Sequence, residues 1–392
     1  MSGLLLVVLA TAAAQPAPSP QDQVSIDFVV SVPPASQPAE RIFVSGNHAA
    51  VGPWRPDGAA LSRGGDGRYR GSIRLPRDFE LEYKLTRGTW ETVEKGPLGQ
   101  EIDNRRLSAR QDMTVELSVA RWAESSAARA ATRTGNIQVH EKFHSRALNN
   151  ERTILVYLPP DYDQQPRRRY PVLYLHDGQN VFDAATSFLG IEWQADETAE
   201  RLIRADRIRP IIMVGIYNTA DRANEYTPWA DAGRKVGGKG DLYADFLVNE
   251  LKPFIDSRYR TRPDRAHTAV AGSSLGGLIS LHLGMKHAAT FSMCGVMSPA
   301  LWWGEKKIVR DFLEQGPPRE GFRCWLDMGS REGAIREFNT GIQQTRELVA
   351  AFDRHGMAPG RDYYYFEDVD AVHNESAWQA RFDKMLLFFF AR

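Results

Sequence analysis

Gly272-Ser273-Ser274-Leu275-Gly276 has the G-x-S-x-G spacing that holds a serine nucleophile on a sharp turn. An apolar run at residues 268–271 precedes it, and a segment that favours a helix starts at Leu275. Such a turn leaves no room for side chains at Gly272 and Gly276, and it projects the hydroxyl of Ser274 at the start of the helix. Free N–H groups there face any oxyanion that forms. The motif predicts nucleophilic serine chemistry; an ordinary glycine-rich turn between a strand and a helix is the alternative.

A serine hydroxyl needs a base within hydrogen-bond reach, and histidine has a suitable pKa. Among the nine histidines, His373 lies after the last predicted strand, at 363–366, and directly before the last predicted helix. This order, with serine first and histidine last, fits an α/β-hydrolase. His373 is the predicted base, and a polar helix cap is the alternative.

The acid that orients the base is expected in the loop after the strand that ends near Met328. Glu332 in that loop is the predicted acid, because Asp327 belongs to the end of the strand and points into the sheet. Three further acids stay in competition with it: Asp327, Asp368 and Asp370. Glu332 would otherwise serve as a first-turn acid that complements the dipole of the following helix.

The second donor to the oxyanion is expected from the turn at residues 176–183, which follows the predicted strand at 172–175. Gly178 allows the backbone to approach closely. We expect the N–H of Gln179 to join that of Leu275. Taken alone, the Asp-Gly pair in this turn would be an ordinary hairpin signal.

Buried apolar runs alternate with helical patterns from residue 136 onwards, which predicts a mostly parallel sheet covered on both faces. Such sheets carry their sites at the carboxyl ends of the strands. The predicted strands are 172–175, 211–215, 267–271, 291–297, 324–326 and 363–366. The predicted helices are 195–205, 241–259, 275–286, 333–355 and 375–391.

The first part of the chain has a different pattern. Short strands with period-two alternation predict a small all-β sandwich over residues 23–119. Residues 120–135 are the predicted linker to a second domain at 136–392. Residues 1–14 resemble a signal peptide with an Ala-x-Ala cleavage site, and 15–22 a tether, so we expect a secreted or periplasmic protein.

The charge balance narrows the range of partners. Lys plus Arg and Asp plus Glu each number 49, so the 392-residue chain lacks the basic surplus that nucleic-acid binding needs. The basic run 167–169 is interpreted as a solvated loop. No run approaches the roughly 20 apolar residues of a membrane helix, so we expect no membrane contact in the mature form. Cys294 and Cys324 are predicted to be buried free thiols, and neither a metal nor a cofactor is expected.

Four segments, 176–183, 272–277, 298–303 and 373–378, together resemble the esterase family of α/β-hydrolases that includes enterochelin-type esterases, feruloyl and acetyl xylan esterases and esterase D. The resemblance covers residues 137–392. It implies Ser274 as the nucleophile, His373 as the base and Glu332 as the acid. It also implies that Trp302 and Trp303 face the substrate, with a buried aromatic pair as the alternative.

The N-terminal domain separately resembles the starch-binding carbohydrate modules of the β-sandwich type. The matching segments include 43–47 and 51–56. The resemblance places a glucan site at four residues: Trp54, Lys84, Trp90 and Asn104. An exposed tryptophan offers a flat face to a sugar, and a neighbouring lysine or asparagine bonds the hydroxyls. A scaffold that partly walls the esterase site is the alternative role.

These observations predict a secreted serine carboxylic-ester hydrolase that acts through an acyl-enzyme, on feruloyl-type or acetyl-type esters of carbohydrate. Its partner is therefore an ester substrate, with polysaccharide as the expected carrier. A hydrolase of catecholate siderophore triesters is the alternative enzyme. The same residues would also fit an acyltransferase, and the module would fit a non-catalytic carbohydrate-binding protein.

Overall fold

The computed structural model describes residues 23–33, 41–96, 102, 104–123, 131–231, 235–318, 320–332 and 340–392. The predicted signal peptide and tether, at 1–22, lie outside the described residues. So do residues 124–130 of the predicted linker and residues 333–339, where one helix was predicted to begin.

The N-terminal domain consists of strands, because its apolar residues alternate with polar ones. Along the first strand, Val24, Ile26, Phe28 and Val30 are buried and their neighbours face outward. The strands are β1 (Gln23–Ser31), β2 (Arg41–Gly46), β3 (Ala59–Arg63), β4 (Tyr69–Pro76), β5 (Phe79–Thr86), β6 (Glu94–Lys95), β7 (Arg105–Ala109), β8 (Met113–Ser118) and β9 (Arg121–Trp122).

Seven of these strands form one sheet in the order β7-β5-β2-β3-β4-β1-β8. The two edge strands, β7 and β8, are joined by only three residues, so the sheet must curl until its edges meet. A guanidinium N–H of Arg105 on β7 donates to the carbonyl of Ser118 on β8 at 2.8 Å. The curled sheet encloses one apolar core, as a sandwich does.

The second domain contains an eight-stranded sheet in the order β10-β11-β13-β12-β16-β17-β18-β19. Strands β10, β11 and β13 pair antiparallel, and from β13 to β19 all neighbours are parallel. The strands are β10 (Asn136–Ser145), β11 (Asn150–Leu158), β12 (Val172–His176), β13 (Ile212–Ile216), β14 (Ala230–Asp231), β15 (Val236–Gly237), β16 (Thr268–Ser273), β17 (Met293–Met297), β18 (Arg323–Gly329) and β19 (Tyr363–Asp368). Strands β14 and β15 form a separate small hairpin.

Helices cover both faces of this sheet. They are α1 (Ala195–Arg204), α2 (Arg222–Glu225), α3 (Gly240–Asp245), α4 (Lys252–Arg258), α5 (Leu275–Lys286), α6 (Trp303–Gln315), α7 (Thr340–Arg354) and α8 (Glu375–Phe390). A π-helical segment, Phe246–Leu251, joins α3 to α4. Helices α1 and α8 pack against one face, and α3 to α7 against the other.

The predicted fold class, an α/β-hydrolase preceded by a small all-β domain, is confirmed. Helix α6 was not predicted; its first turn is irregular, with positive φ at Gly304, Glu305 and Lys306. Among the helices of the described ranges, none has the length and apolar composition that crossing a bilayer requires.

Candidate active site

Ser274 lies on a sharp turn between β16 and α5, with φ 59° and ψ −121°. Positive φ is unfavourable for serine and persists only where the surroundings impose it. The N–H of Ser274 donates to the carbonyl of Met297 at 3.0 Å. A Cβ added at Gly272 would lie 2.9 Å from the backbone carbon of Gly276, so the turn requires glycine there. Backbone crowding therefore explains Gly272, whereas the expectation that Gly276 has no room for a side chain is wrong, because an added Cβ there would make only ordinary contacts.

The turn after β12 packs against the start of α5. A Cβ added at Gly276 would lie 3.4 Å from Cβ of His176 and 3.5 Å from Oδ2 of Asp177. Among the described residues, the N–H groups of Gln179 and Leu275 make no hydrogen bond. Two free donors on adjacent turns are the arrangement that an oxyanion hole requires.

Asp177 holds the first of these turns in place. Its backbone is left-handed, with φ 56°, and its carboxylate accepts hydrogen bonds from Asn218 Nδ2 at 2.6 Å and Arg222 Nε at 2.7 Å. Burial alone would raise the pKa of Asp177, but the charge and hydrogen bonds of Arg222 lower it below its usual value. The carboxylate therefore stays ionised and anchors the backbone that carries Gln179.

His373 and Glu332 lie together. Nδ1 of His373 is 2.8 Å from Oε2 of Glu332. The side chain of Glu332 is 4 % exposed and that of His373 is 42 % exposed. Because Nδ1 is engaged by the acid, Nε2 is the nitrogen left for a substrate-side partner.

The pair shifts the pKa values of both groups. Partial removal from water disfavours protonated His373, but the hydrogen bond and charge of Glu332 outweigh this effect. The charges of Glu82 and Glu375 act in the same direction, and the pKa of His373 is raised. Burial alone would raise the pKa of Glu332, but the bond to His373 and the charge of Arg381 lower it.

A buried polar network supports Glu332 from below. Its Oε1 accepts hydrogen bonds from Ser298 Oγ at 2.6 Å and from the N–H of Gly329 at 2.8 Å. Ser298 Oγ in turn accepts from Trp378 Nε1 at 3.0 Å and from Arg381 at 2.8 Å. Glu332 is thus held on two sides, by His373 through Oε2 and by these groups through Oε1.

Arg381 is fully buried and joins three acids. Its guanidinium is 3.2 Å from Asp327 Oδ1, 3.5 Å from Glu332 Oε1 and 3.3 Å from Asp368 Oδ2. Burial raises the pKa of Asp327 to about 6 despite the charge of Arg381. Of the four candidate acids, only Glu332 is hydrogen-bonded to His373; Asp370 is exposed.

The turn after β17 bonds both the backbone of Ser274 and the residues around His373. The N–H of Ser274 donates to the carbonyl of Met297, and the N–H of Ala300 donates to the carbonyl of Ser274, both at 3.0 Å. Ser298, in the same turn, bonds Glu332 and Trp378. The ring of Trp378 lies edge-on to His373, with 5.0 Å between centroids. One turn therefore links the positions of all three predicted triad residues.

The two neighbouring tryptophans have different environments. Trp302 is 43 % exposed and follows the turn that bonds Ser274. Trp303 is 3 % exposed, and its Nε1 donates to the carbonyl of Trp229 at 2.8 Å. The expectation that both face the substrate needs correction: Trp303 belongs to the core, because its indole N–H is satisfied there.

The predicted glucan-site residues also lie in different environments. Trp54 and Asn104 are half-buried. Lys84 is 7 % exposed, and its ammonium donates to the carbonyl of Ile102, so the expectation that it bonds a sugar in solvent does not fit its burial. Trp90 packs edge-on against Phe188 of the second domain, with 5.2 Å between centroids.

The chain matches known families in both domains. The family described as "Putative esterase" matches residues 145–389, and the starch-binding domain family matches residues 23–117. Because the first match covers more than half of the chain, the chain belongs to that esterase family, and it carries a starch-binding-type domain in front.

Two curated relatives show the range of the family. An endo-1,4-beta-xylanase/feruloyl esterase of Xylanibacter ruminicola is 29 % identical over 64 % of this chain and 32 % of its own length. The iron(III) salmochelin esterase of Escherichia coli is 30 % identical over 55 % of this chain and 51 % of its own. The solved structure of the enterobactin esterase Fes of Shigella flexneri with 2,3-dihydroxy-N-benzoyl-serine has a TM-score of 0.53 at 17 % identity, covering 89 % and 88 % of the two chains. That likeness shows a shared fold.

Sequence reasoning missed the groups that support the site. Asp177 was noted only as part of a turn. Ser298 and Arg381 were not identified as partners of Glu332. For Arg381 a signal exists: it is an arginine inside the largely apolar segment 378–390, where a charge needs partners.

Proposed function

We propose that the chain is a serine carboxylic-ester hydrolase that works through an acyl-enzyme. The observation that carries the proposal is the hydrogen bond of 2.8 Å between His373 Nδ1 and Glu332 Oε2, which leaves Nε2 to accept the proton of Ser274. As Ser274 Oγ attacks the ester carbonyl, the N–H groups of Leu275 and Gln179 bind the oxyanion. His373 then returns the proton to the departing alcohol.

Water completes the reaction. His373 removes a proton from a water molecule, which attacks the acyl-enzyme, and the carboxylic acid leaves as Ser274 regains its proton. The ionised Glu332 stabilises the imidazolium in both halves. Neither step needs a metal or an organic cofactor.

We propose acyl esters of carbohydrate, of the feruloyl or acetyl type, as the substrates. The starch-binding-type domain supports this choice, as does the relative named for feruloyl esterase activity. The carboxylates of Glu82 and Glu375, whose charges reach His373, also favour a neutral substrate over a polyanion. Export of the chain, predicted from residues 1–14, would bring it to such substrates.

A siderophore triester is the second candidate, supported by the relative named for salmochelin hydrolysis. Release of ferulate from methyl ferulate and hydrolysis of enterobactin, measured with the same preparation, separate the two. Turnover of enterobactin alone would overturn the carbohydrate-ester proposal.

The nucleophile is tested with two neighbouring serines. Ser274→Ala should lower turnover of p-nitrophenyl acetate by several orders of magnitude and leave thermal unfolding unchanged. Ser273→Ala is the matched control and should retain most of the activity, because Ser273 ends β16 inside the sheet. Wild-type rates in Ser274→Ala would overturn the assignment. Binding to a glucan column without any ester turnover in the wild type would favour a non-catalytic protein.

A further inference from the structure

Three acidic side chains converge at the start of α1, on the opposite side of the sheet from α5. Glu192 and Asp196 are buried, with 4 % and 0 % exposure, and Glu197 is half-buried. One carboxylate oxygen from each lies within 4.8 Å of the other two. Such a concentration of negative charge is unfavourable unless something neutralises it.

Each of the three acids has a buried oxygen that accepts no hydrogen bond from outside the cluster: Glu192 Oε2, Asp196 Oδ1 and Glu197 Oε2. Burial and a hydrogen bond with Glu197 raise the pKa of Asp196 to about 8, so a cation bound here would replace a proton shared by these two acids. The second oxygens of the two buried acids are engaged. Glu192 Oε1 accepts from Thr132 Oγ1, and Asp196 Oδ2 accepts from the N–H of Thr134 at 2.6 Å. The protein therefore orients both carboxylates and provides no N–H or O–H donor outside the cluster for their remaining oxygens.

The described residues provide no cationic side chain for this cluster. Arg133 is the nearest in sequence to its threonine partners, but its Nε bonds Asp183 Oδ2 at 2.7 Å. None of the ion pairs among the described residues includes Glu192, Asp196 or Glu197. The dipole of α1 favours acids in its first turn, but Glu192 precedes the helix.

We propose that Glu192, Asp196 and Glu197 bind a calcium ion. Calcium takes oxygen ligands at about 2.3–2.6 Å, so two of its ligands are at most about 5 Å apart, which accommodates the observed spread. Magnesium binds in near-ideal octahedral geometry and keeps several of its waters, so a cluster of three protein carboxylates suits calcium better. Water molecules would complete the coordination.

The position of the site indicates its role. Thr132 and Thr134 belong to the segment that leads from the N-terminal domain into β10, and they bond the same two acids. A calcium ion would hold these acids in place and thereby fasten the segment to α1. The role is structural and independent of the reaction at Ser274.

Calcium titration of the full-length chain after chelator treatment tests the proposal. We expect one calcium ion per chain by isothermal titration calorimetry and a Tm increase of roughly 3 °C or more in 10 mM CaCl2. Asp196→Asn and Glu197→Gln should lose both effects. Glu314→Gln, which removes an exposed carboxylate on α6, should retain them.

Three results would overturn the proposal. The first is no heat and no Tm shift with calcium in the wild type. The second is calcium binding that survives in Glu197→Gln, the variant at the half-buried position, which leaves the interior intact even if Asp196→Asn does not fold. The third is a Tm that rises as the pH falls and ignores calcium, because protons would then neutralise the carboxylates.

Discussion

The carboxylate of Glu82, on strand β5 of the N-terminal domain, acts electrostatically on the imidazole of His373 in the second domain and raises its pKa. Glu82 is itself paired with Arg106 at 3.1 Å on the neighbouring strand. The N-terminal domain therefore contributes charge to the predicted catalytic centre, in agreement with the alternative role of a domain that walls the esterase site.

Replacing Glu82 should change the pH dependence of the reaction. His373 must be neutral to act as a base, so the acid limb of kcat/KM follows its pKa. Glu82→Gln removes a charge that raises this pKa, and the acid limb should move to lower pH. Glu80→Gln, two residues away on the same strand, is the control and should leave the profile unchanged. An identical profile for Glu82→Gln and the wild type would contradict the electrostatic contact.

Replacing Glu332 should move the acid limb of kcat/KM to lower pH by more than replacing Glu82 does, and it should also lower kcat. Glu332→Gln keeps the shape of the side chain but removes the charge that stabilises the imidazolium, so kcat should fall by roughly 10²–10⁴. The acid limb should also move to lower pH, because the main group that raises the pKa of His373 is gone. Asp370→Asn replaces an exposed alternative candidate for the acid, and it should leave kcat and the pH profile unchanged. Full activity in Glu332→Gln would exclude it as the triad acid.

Arg381 should be essential for stability. Arg381→Met leaves Asp327 and Glu332 buried without their cation, a change that costs about 3–5 kcal/mol in comparable buried pairs. Urea unfolding measures the free energy of unfolding. Arg381→Lys retains the positive charge and should recover part of the lost stability. A loss below about 1 kcal/mol for Arg381→Met would mean that the acids do not depend on this cation.

The sharp turn between β16 and α5 should not tolerate a methyl group at Gly272. Three backbone atoms of Gly276 would lie 2.9–3.0 Å from the new Cβ. Gly272→Ala should therefore lower the free energy of unfolding by about 1–3 kcal/mol, as overpacking does, and reduce turnover with it. At Gly65 an added Cβ meets nothing within 4 Å, so Gly65→Ala is the matched control. Equal stability of the two variants would contradict the crowded turn.

Trp90 should stabilise the contact between the domains. Its edge-on packing against Phe188 predicts a coupling of about 0.5–1.5 kcal/mol in a double-mutant cycle of Trp90→Ala and Phe188→Ala. The effects of Trp54→Ala and Phe188→Ala on the free energy of unfolding should add without coupling. If Trp90→Ala instead affects only retention on a glucan column, the residue acts in sugar binding.

Local sequence predicted the elements that depend on local rules. Helix α5 begins and ends at the predicted residues, because the glycine-rich turn and the apolar run define it. The association of Glu332 with His373 was expected from chain order in the family. Ser298 and Arg381 were not expected, because their role depends on side chains that meet across the sheet from positions more than 80 residues apart. The contact of Trp90 with Phe188 was likewise hidden, because it joins separately patterned domains.

Helix α8 and the residues before it have a consequence for biosynthesis. His373, Trp378 and Arg381 all lie near the start of α8, downstream of every strand of the sheet. During translation, Ser274 leaves the ribosome about a hundred residues before His373 and Arg381, and the turn that carries Gln179 leaves earlier still. On the proposed assignment, a nascent chain carries the nucleophile before its base, and ester cleavage begins only when the last helix docks. If the chain is extended beyond residue 392 so that α8 clears the exit tunnel of a stalled ribosome, ester cleavage reports directly on that docking.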